Sequence, residues 1–164
     1  MGYQNVFERI KRQPCVDIFK LRLTEVREGY AKVETDLIEE YCNEIPVIWG
    51  ALFSALSDAA GSAAIMTLIG DDFTPPTEEL HVIYKNAAVT EDEGLFCEAV
   101  AYKELVEIKK EMPRIKIMKA EGAIKSKRTG ETKATFELYA RIVPLKIAKR
   151  IIKKKKKDTK RVTL

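Results

Sequence analysis

The stretch WGALFSALSDAAGSAAIMTLIG, Trp49 to Gly70, decides how the rest of the chain is read. It holds no Lys, Arg or Glu, and its one charge, Asp58, lies near its middle. At 1.5 Å per residue it is long enough for a helix of roughly 30 Å. Small residues (Ala51, Ala55, Ala59, Gly61, Ala63) alternate with large ones (Leu52, Phe53, Leu56, Ile65, Met66, Leu68). A helix that is apolar on every side must be buried on every side. About 20 apolar residues can also cross a bilayer, but Ser54, Ser57, Asp58, Ser62 and Thr67 interrupt this run, and a central carboxylate is costly in lipid. The expectation is a helix enclosed by a soluble sheet, without stable membrane insertion. It carries one enclosed acid that needs a chemical reason.

Downstream, Asp71–Pro76 breaks the helix, with Pro75-Pro76 as a firm stop. Three long strands are expected over Thr77–Ala88, Leu95–Ile108 and Arg114–Lys125, the last irregular, with a bulge assigned to Gly122. Arg128-Thr129-Gly130 makes a turn, and Glu131–Val143 alternates with Ala134, Phe136, Leu138, Ala140 and Ile142 inward. Upstream, Glu39–Ile48 reads as a loop. Tyr30–Ile38 alternates, with Ala31, Val33, Thr35 and Leu37 on one face, and forms a hairpin with a strand over Val16–Val26. Tyr3–Arg12 reads as a short amphipathic helix ended by Pro14. A single sheet must bury its apolar face on something. The economical α+β packing is one curved antiparallel sheet wrapped around the long helix, its last four strands in a meander.

The chain of 164 residues reads as one domain, 1–143, with a tail, 144–164. The net charge of +4 conceals an uneven distribution: the tail holds ten Lys/Arg and one acid, so +9, and the body nineteen Lys/Arg against twenty-four acids, so −5. A mildly acidic body argues against a nucleic-acid-binding face. The tail is expected to be a frayed, solubilising extension, although Leu145, Ala148, Ile151 and Ile152 fall near helical spacing. An anionic membrane surface is a lesser alternative for it. Met1–Arg12 is polar and reads as no secretory signal. Cys15, Cys42 and Cys97 are odd in number and far apart, as expected of reduced thiols in a cytoplasmic protein. His81 is the only histidine, which leaves a His-based metal site or a Ser-His pair without support.

The loop and helix start, NEIPVIWGALFSALSD, resemble the N-x-x-G-x-x-H-G-G-x-L-F-x-L-x-D motif of hot-dog fold acyl-CoA thioesterases of the phenylacetyl-CoA thioesterase-like branch. Asn43, Gly50 and Asp58 match the motif's Asn, first paired Gly and acid. TEELHVIY is similar to the family's next strand, T-x-E-L-x-V-x-Y, with Thr77 at the hydroxyl position. The chain departs from the motif at three positions: Trp49 stands for the His, Pro46 for a Gly and Ala51 for the second paired Gly. The resemblance implies a homo-oligomeric, metal-independent hydrolase of acyl-CoA thioesters, with coenzyme A as part of the substrate and no separate cofactor. It also implies that Asn43 belongs to the catalytic set and that Thr77 holds the attacking water, with a β-former at a strand start as the alternative for Thr77. Trp49, large and with one N–H donor, would wall the acyl pocket or donate to the loop around Asn43, and Ala51 is placed with it in the substrate-binding set. Lys109, Lys110 and Arg114 stand where the family often has basic residues and would meet the coenzyme A phosphates; a solvated charged turn is the plainer reading of these three.

Thioester hydrolysis needs an activated water or a carboxylate nucleophile, and donors for the developing oxyanion. A helix start offers unpaired N–H groups and the positive end of a dipole, and a glycine admits a carbonyl close to it. Gly50 is therefore the candidate oxyanion donor, with close packing as its alternative. Asp58 is the candidate base or nucleophile, with capping of a neighbouring loop as its alternative; an unpaired mid-helix carboxylate is costly, and sites are where such cost is kept. Eight residues separate Gly50 from Asp58, about 12 Å along one helix. Both cannot reach one carbonyl carbon, but two helices side by side in a two-fold dimer can bring Asp58 of one subunit to the other's Gly50. A rival from another class is a non-catalytic acyl-CoA-binding or regulatory hot-dog protein, which Trp49 favours.

Overall fold

The structure, a computed structural model, describes residues 3–105, 116–151 and 153. Two short helices open the chain, α1 over Gln4–Lys11 and α2 over Pro14–Ile18. The second corrects the strand expected from Val16. Pro14 starts a helix instead of only ending one, because its fixed φ and missing N–H suit the first helical turn. Val6, Ile10 and Val16 are buried, so α1 and α2 close one side of the core.

Strand β1 (Arg22–Arg27) pairs with β2 (Tyr30–Asp36), as the hairpin reading requires. The long helix, α3, runs Gly50–Ile69. It is followed by β3 (Phe73–Thr74), β4 (Thr77–Tyr84), β5 (Gly94–Leu105), β6 (Ile117–Ser126), β7 (Thr132–Arg141) and β8 (Val143–Pro144). Six strands form one antiparallel sheet in the order β1-β2-β5-β6-β7-β4, and β3 pairs with β8 beside it. The expected four-strand meander is thus corrected. Only β5, β6 and β7 run in sequence; β4 crosses to the far edge and pairs with β7. Periodicity shows which face of a strand is buried, not which neighbour it has.

Helix α3 contacts every strand of the large sheet, which therefore curls around it. By length and composition it could cross a membrane, but most of its surface is covered inside the fold. Ala31, Val33 and Thr35 of β2, Leu95, Cys97 and Ala99 of β5, and Ala134, Phe136, Leu138 and Ala140 of β7 are all buried, as their alternation predicts. The first three turns of α3 are open along one stripe: Ala51, Ser54, Ala55 and Asp58 are only half-buried. Asp58 is therefore not the fully enclosed acid that the sequence suggests.

Gly122 is not at a bulge. It pairs in register with Ala99 and Phe136, and the nearest shift of register falls between Ile124 and Lys125, opposite an extra residue on β7, Lys133. Its lack of a side chain has a different cause. A Cβ there would lie 2.0 Å from the Glu98 carbonyl oxygen and 2.7 Å from Cε1 of Phe136. On α3, a Cβ on Gly61 would lie 3.0 Å from Cδ1 of Leu138 and 3.4 Å from Cε2 of the same Phe136 ring. Gly122 thus admits the neighbouring strand's backbone first and the ring second, and Gly61 admits Leu138.

The outer face of the sheet is a lattice of charges. Lys119 bonds Glu121 (2.9 Å) and Glu137 (2.5 Å), Lys125 bonds Glu98 (2.9 Å), and Lys127 bridges Glu34 (3.2 Å) and Asp36 (2.9 Å). Hydrogen bonds from Arg22 and Lys127 hold the Asp36 carboxyl down at about 2. All three cysteines are free thiols, Cys97 fully buried in the core. Residues 145–151 are helical, with Leu145 and Ala148 half-buried, so the start of the tail is ordered where fraying was expected. The Leu145 N–H donates to the Asp72 carbonyl at 2.8 Å.

Candidate active site

Two points of chemistry lie along the open stripe of α3, one at its start and one at its third turn. At the third turn, the Thr77 hydroxyl donates to Oδ1 of Asp58 at 2.5 Å. Thr77 is brought there by the stop that precedes it: Pro75 and Pro76 end the turn after α3, and β4 begins at Thr77 on the sheet edge. Thr77 is exposed and Asp58 half-buried, so the pair faces outward from the subunit with its remaining lone pairs free to bind water.

At the start of the helix, Trp49 is the N-cap residue and makes no side-chain capping bond. The first N–H groups of α3, at Gly50 and Ala51, have no intrahelical carbonyl to bond. The Leu52 N–H donates to the Trp49 carbonyl at 3.1 Å. A pocket of ≈ 290 Å³ adjoins this end, walled by Ile48, Gly50, Phe53, Tyr84 and Lys85 among others. The Tyr84 hydroxyl donates to the Gly50 carbonyl at 3.0 Å, and its ring meets Phe53 edge-on at 5.4 Å. A Cβ on Gly50 would lie 2.9 Å from that hydroxyl. The glycine therefore admits Tyr84, and the obstacle is the end of a side chain and not sheet backbone.

Tyr84, the terminal Tyr of TEELHVIY, is a site residue that the pattern of its own strand does not single out. Strand β4 thus touches both points, with Thr77 at its start on Asp58 and Tyr84 at its end on Gly50. Eight helical residues keep those points apart within one subunit.

The other expected residues fall as follows. Asn43 is exposed, and its Oδ1 accepts the Ile45 N–H at 3.1 Å, a local turn within the loop closed by the Cys42–Ile48 bridge. It bonds neither Asp58 nor Gly50. Trp49 is 59% exposed and lies outside the residues walling the pocket, so within one subunit it does not wall that pocket. Ala51 lies half-buried in the first turn, on the open stripe. Lys109, Lys110 and Arg114 lie outside the described residues.

No family model matches the sequence, and no curated protein matches it. Solved structures do. A thioesterase from Haemophilus influenzae aligns with TM-score 0.69 at 11% identity, covering 88% of this chain and 92% of that one. A thioesterase family protein from Silicibacter pomeroyi aligns with TM-score 0.68 at 20% identity, covering 86% and 96%. Zebra fish thioesterase superfamily member 2 aligns with TM-score 0.65 at 18% identity, covering 84% and 93%. At such identities the likeness is one of fold. The chain has the α+β hot-dog fold, the architecture these thioesterase structures share.

Proposed function

We propose that the protein is an acyl-CoA thioesterase that works as a homo-oligomer with sites shared between subunits. The observation that carries this is the Asp58–Thr77 pair, 2.5 Å apart and facing outward on the scaffold that its thioesterase neighbours use. Thr77 spends its one hydroxyl proton on Asp58 and keeps two lone pairs. A water bound between Thr77 Oγ1 and Asp58 Oδ2 then donates both its protons and turns a lone pair toward the substrate. Asp58 takes a proton as the water oxygen adds to the thioester carbon. The oxyanion lies against the N–H of the partner subunit's Gly50. On collapse the carbon–sulfur bond breaks and the proton on Asp58 passes to the thiolate, giving free acid and free coenzyme A.

Sharing the site requires a second copy, and the subunit has a surface for one. Strand β4 ends the sheet order with its outer edge unpaired among the described residues. Ile45, Trp49, Ile83 and Tyr84, each more than half exposed, lie on this strand or on the loop leading into α3. An open strand edge and exposed large apolar groups are what association buries. The smallest stable species is expected to be a dimer, with a tetramer also compatible. Light scattering at low micromolar concentration checks this, and an active, folded monomer would overturn the shared site.

Trp49 favours a second reading, a binder of acyl-CoA that does not hydrolyse it. The indole has one donor and no acceptor and so does no acid–base chemistry. The two readings part in one assay, free-thiol release from a panel of acyl-CoAs with calorimetric binding beside it. The enzyme reading expects thiol release by the wild type, kept or raised in Trp49→His. A wild type that binds tightly and releases no thiol identifies the binder.

A further inference from the structure

We infer that the C-terminal helical segment is an interfacial element that seats the protein on an anionic lipid surface. Residues 145–151 and 153 are helical. At 100° per residue, Lys146, Lys149, Arg150 and Lys153 fall within one arc about 100° wide. The apolar residues Leu145, Ile147, Ala148 and Ile151 fill the opposite side. That apolar side is divided by the body of the protein. Leu145 and Ala148 are half-buried, whereas Ile147 and Ile151 are each 51% exposed, one turn apart on one line. The fold therefore holds the helix by one edge of its apolar side and leaves the other edge uncovered beside its cations.

The helix is anchored where a second apolar surface opens. The Leu145 N–H bonds the Asp72 carbonyl at 2.8 Å, and Pro144 pairs with Phe73. Phe73 is 38% exposed and lines a groove of ≈ 370 Å³ with Leu68, Ile69, Met118, Lys103 and Lys116. Acidic groups are present at this end too, in Asp71 and Asp72 and in Glu28 paired with Lys103. They are outweighed by the charge of the C-terminal segment as a whole, since 144–164, the helix included, carries +9 against −5 for the remainder.

Charge complementarity selects an anionic partner, and the exposed Ile147–Ile151 line selects a bilayer among anionic partners. A basic helix with a large apolar side lies in the headgroup plane with its apolar residues in the acyl boundary, and anionic lipid adds to the attraction. A phosphate backbone would reward the lysines and leave the isoleucines in water.

The test is flotation of the full-length protein with phosphatidylcholine vesicles and with phosphatidylcholine–phosphatidylserine vesicles at physiological salt. Binding is expected only with phosphatidylserine and is expected to fall as salt rises. Each of K146A, K149A and R150A should weaken it roughly fivefold. The pair Ile147→Asp and Ile151→Asp should weaken it about tenfold or more. A chain ending at Arg150 should keep the wild-type melting temperature and lose vesicle binding, because the described strands end by Pro144 and the docked Leu145 and Ala148 remain. All these variants leave Asp58, Thr77 and Gly50 untouched, so thiol release from a soluble short-chain acyl-CoA stays at the wild-type level whether or not the lipid reading holds. No binding to either vesicle, equal binding to both, isoleucine variants that bind as wild type, or duplex DNA or RNA bound more tightly than the vesicles would each overturn the inference.

Discussion

Replacing Asp58 with Asn is expected to cut thiol release from acyl-CoA by at least about a hundredfold, the usual scale for a positioned general base. Binding of a non-hydrolysable acyl-CoA should change little. The substitution separates the chemical role of Asp58 from its structural one. An Asn side chain has the same shape and keeps a carbonyl oxygen for the Thr77 hydroxyl, which now donates to Oδ1 at 2.5 Å. The bond tying α3 to the first residue of β4 therefore survives, and the melting temperature should stay near that of the wild type. What is lost is the lone pair that takes the proton from water. Unchanged turnover would mean that Asp58 only fastens a helix to a sheet edge. A fall in melting temperature with turnover intact would say the same.

Gly122→Ala is expected to cost about 3 kcal/mol, the upper end for overpacking a filled core, and so to lower the melting temperature by roughly 10 °C for a chain of this size. The added Cβ meets the Glu98 carbonyl oxygen at 2.0 Å and the Phe136 ring at 2.7 Å. The first of these is backbone of the neighbouring strand, held in register by pairs on both sides, Cys97 with Ile124 and Ala99 with Gly122. It can move only if the ladder opens. Trimming the ring with Phe136→Leu should therefore restore little of the loss, since the nearer obstacle is not the ring. Thermal unfolding of the single and double variants at one fixed protein concentration measures this. A Gly122→Ala protein that melts with the wild type would show that the sheet yields there.

The same two residues show where reading a sequence succeeds and where it stops. Glycine in a strand signals a departure from regular pairing or a close approach, and the pattern alone favoured a bulge at Gly122. The nearest shift of register lies beyond Ile124, and the glycine lets the Glu98 carbonyl of β5 and the Phe136 ring of β7 come close on either side. That approach depends on the two strands that flank β6. The pair at the site behaves similarly. Asp58 stood out as the only charge in twenty-two residues, and Thr77 by its place in TEELHVIY. Their mutual hydrogen bond arises because β4 crosses to the far edge of the sheet and starts beside the third turn of α3. Tyr84 reaches the Gly50 carbonyl for the same reason.

The central helix, the inward faces of the strands and the candidate acid are legible in the order of residues. Each of these follows from local spacing: an uninterrupted apolar run, a period of two, a lone carboxylate. Tertiary structure alone decided the order of strands, the outward aspect of Asp58, the Thr77 and Tyr84 contacts at the two ends of β4, and the division of the tail helix into a docked and an open edge. It also turned Pro14 from an expected stop into the first residue of α2. These depend on which surfaces of distant segments are buried together, and the spacing of residues along one segment carries no record of the neighbour it will meet.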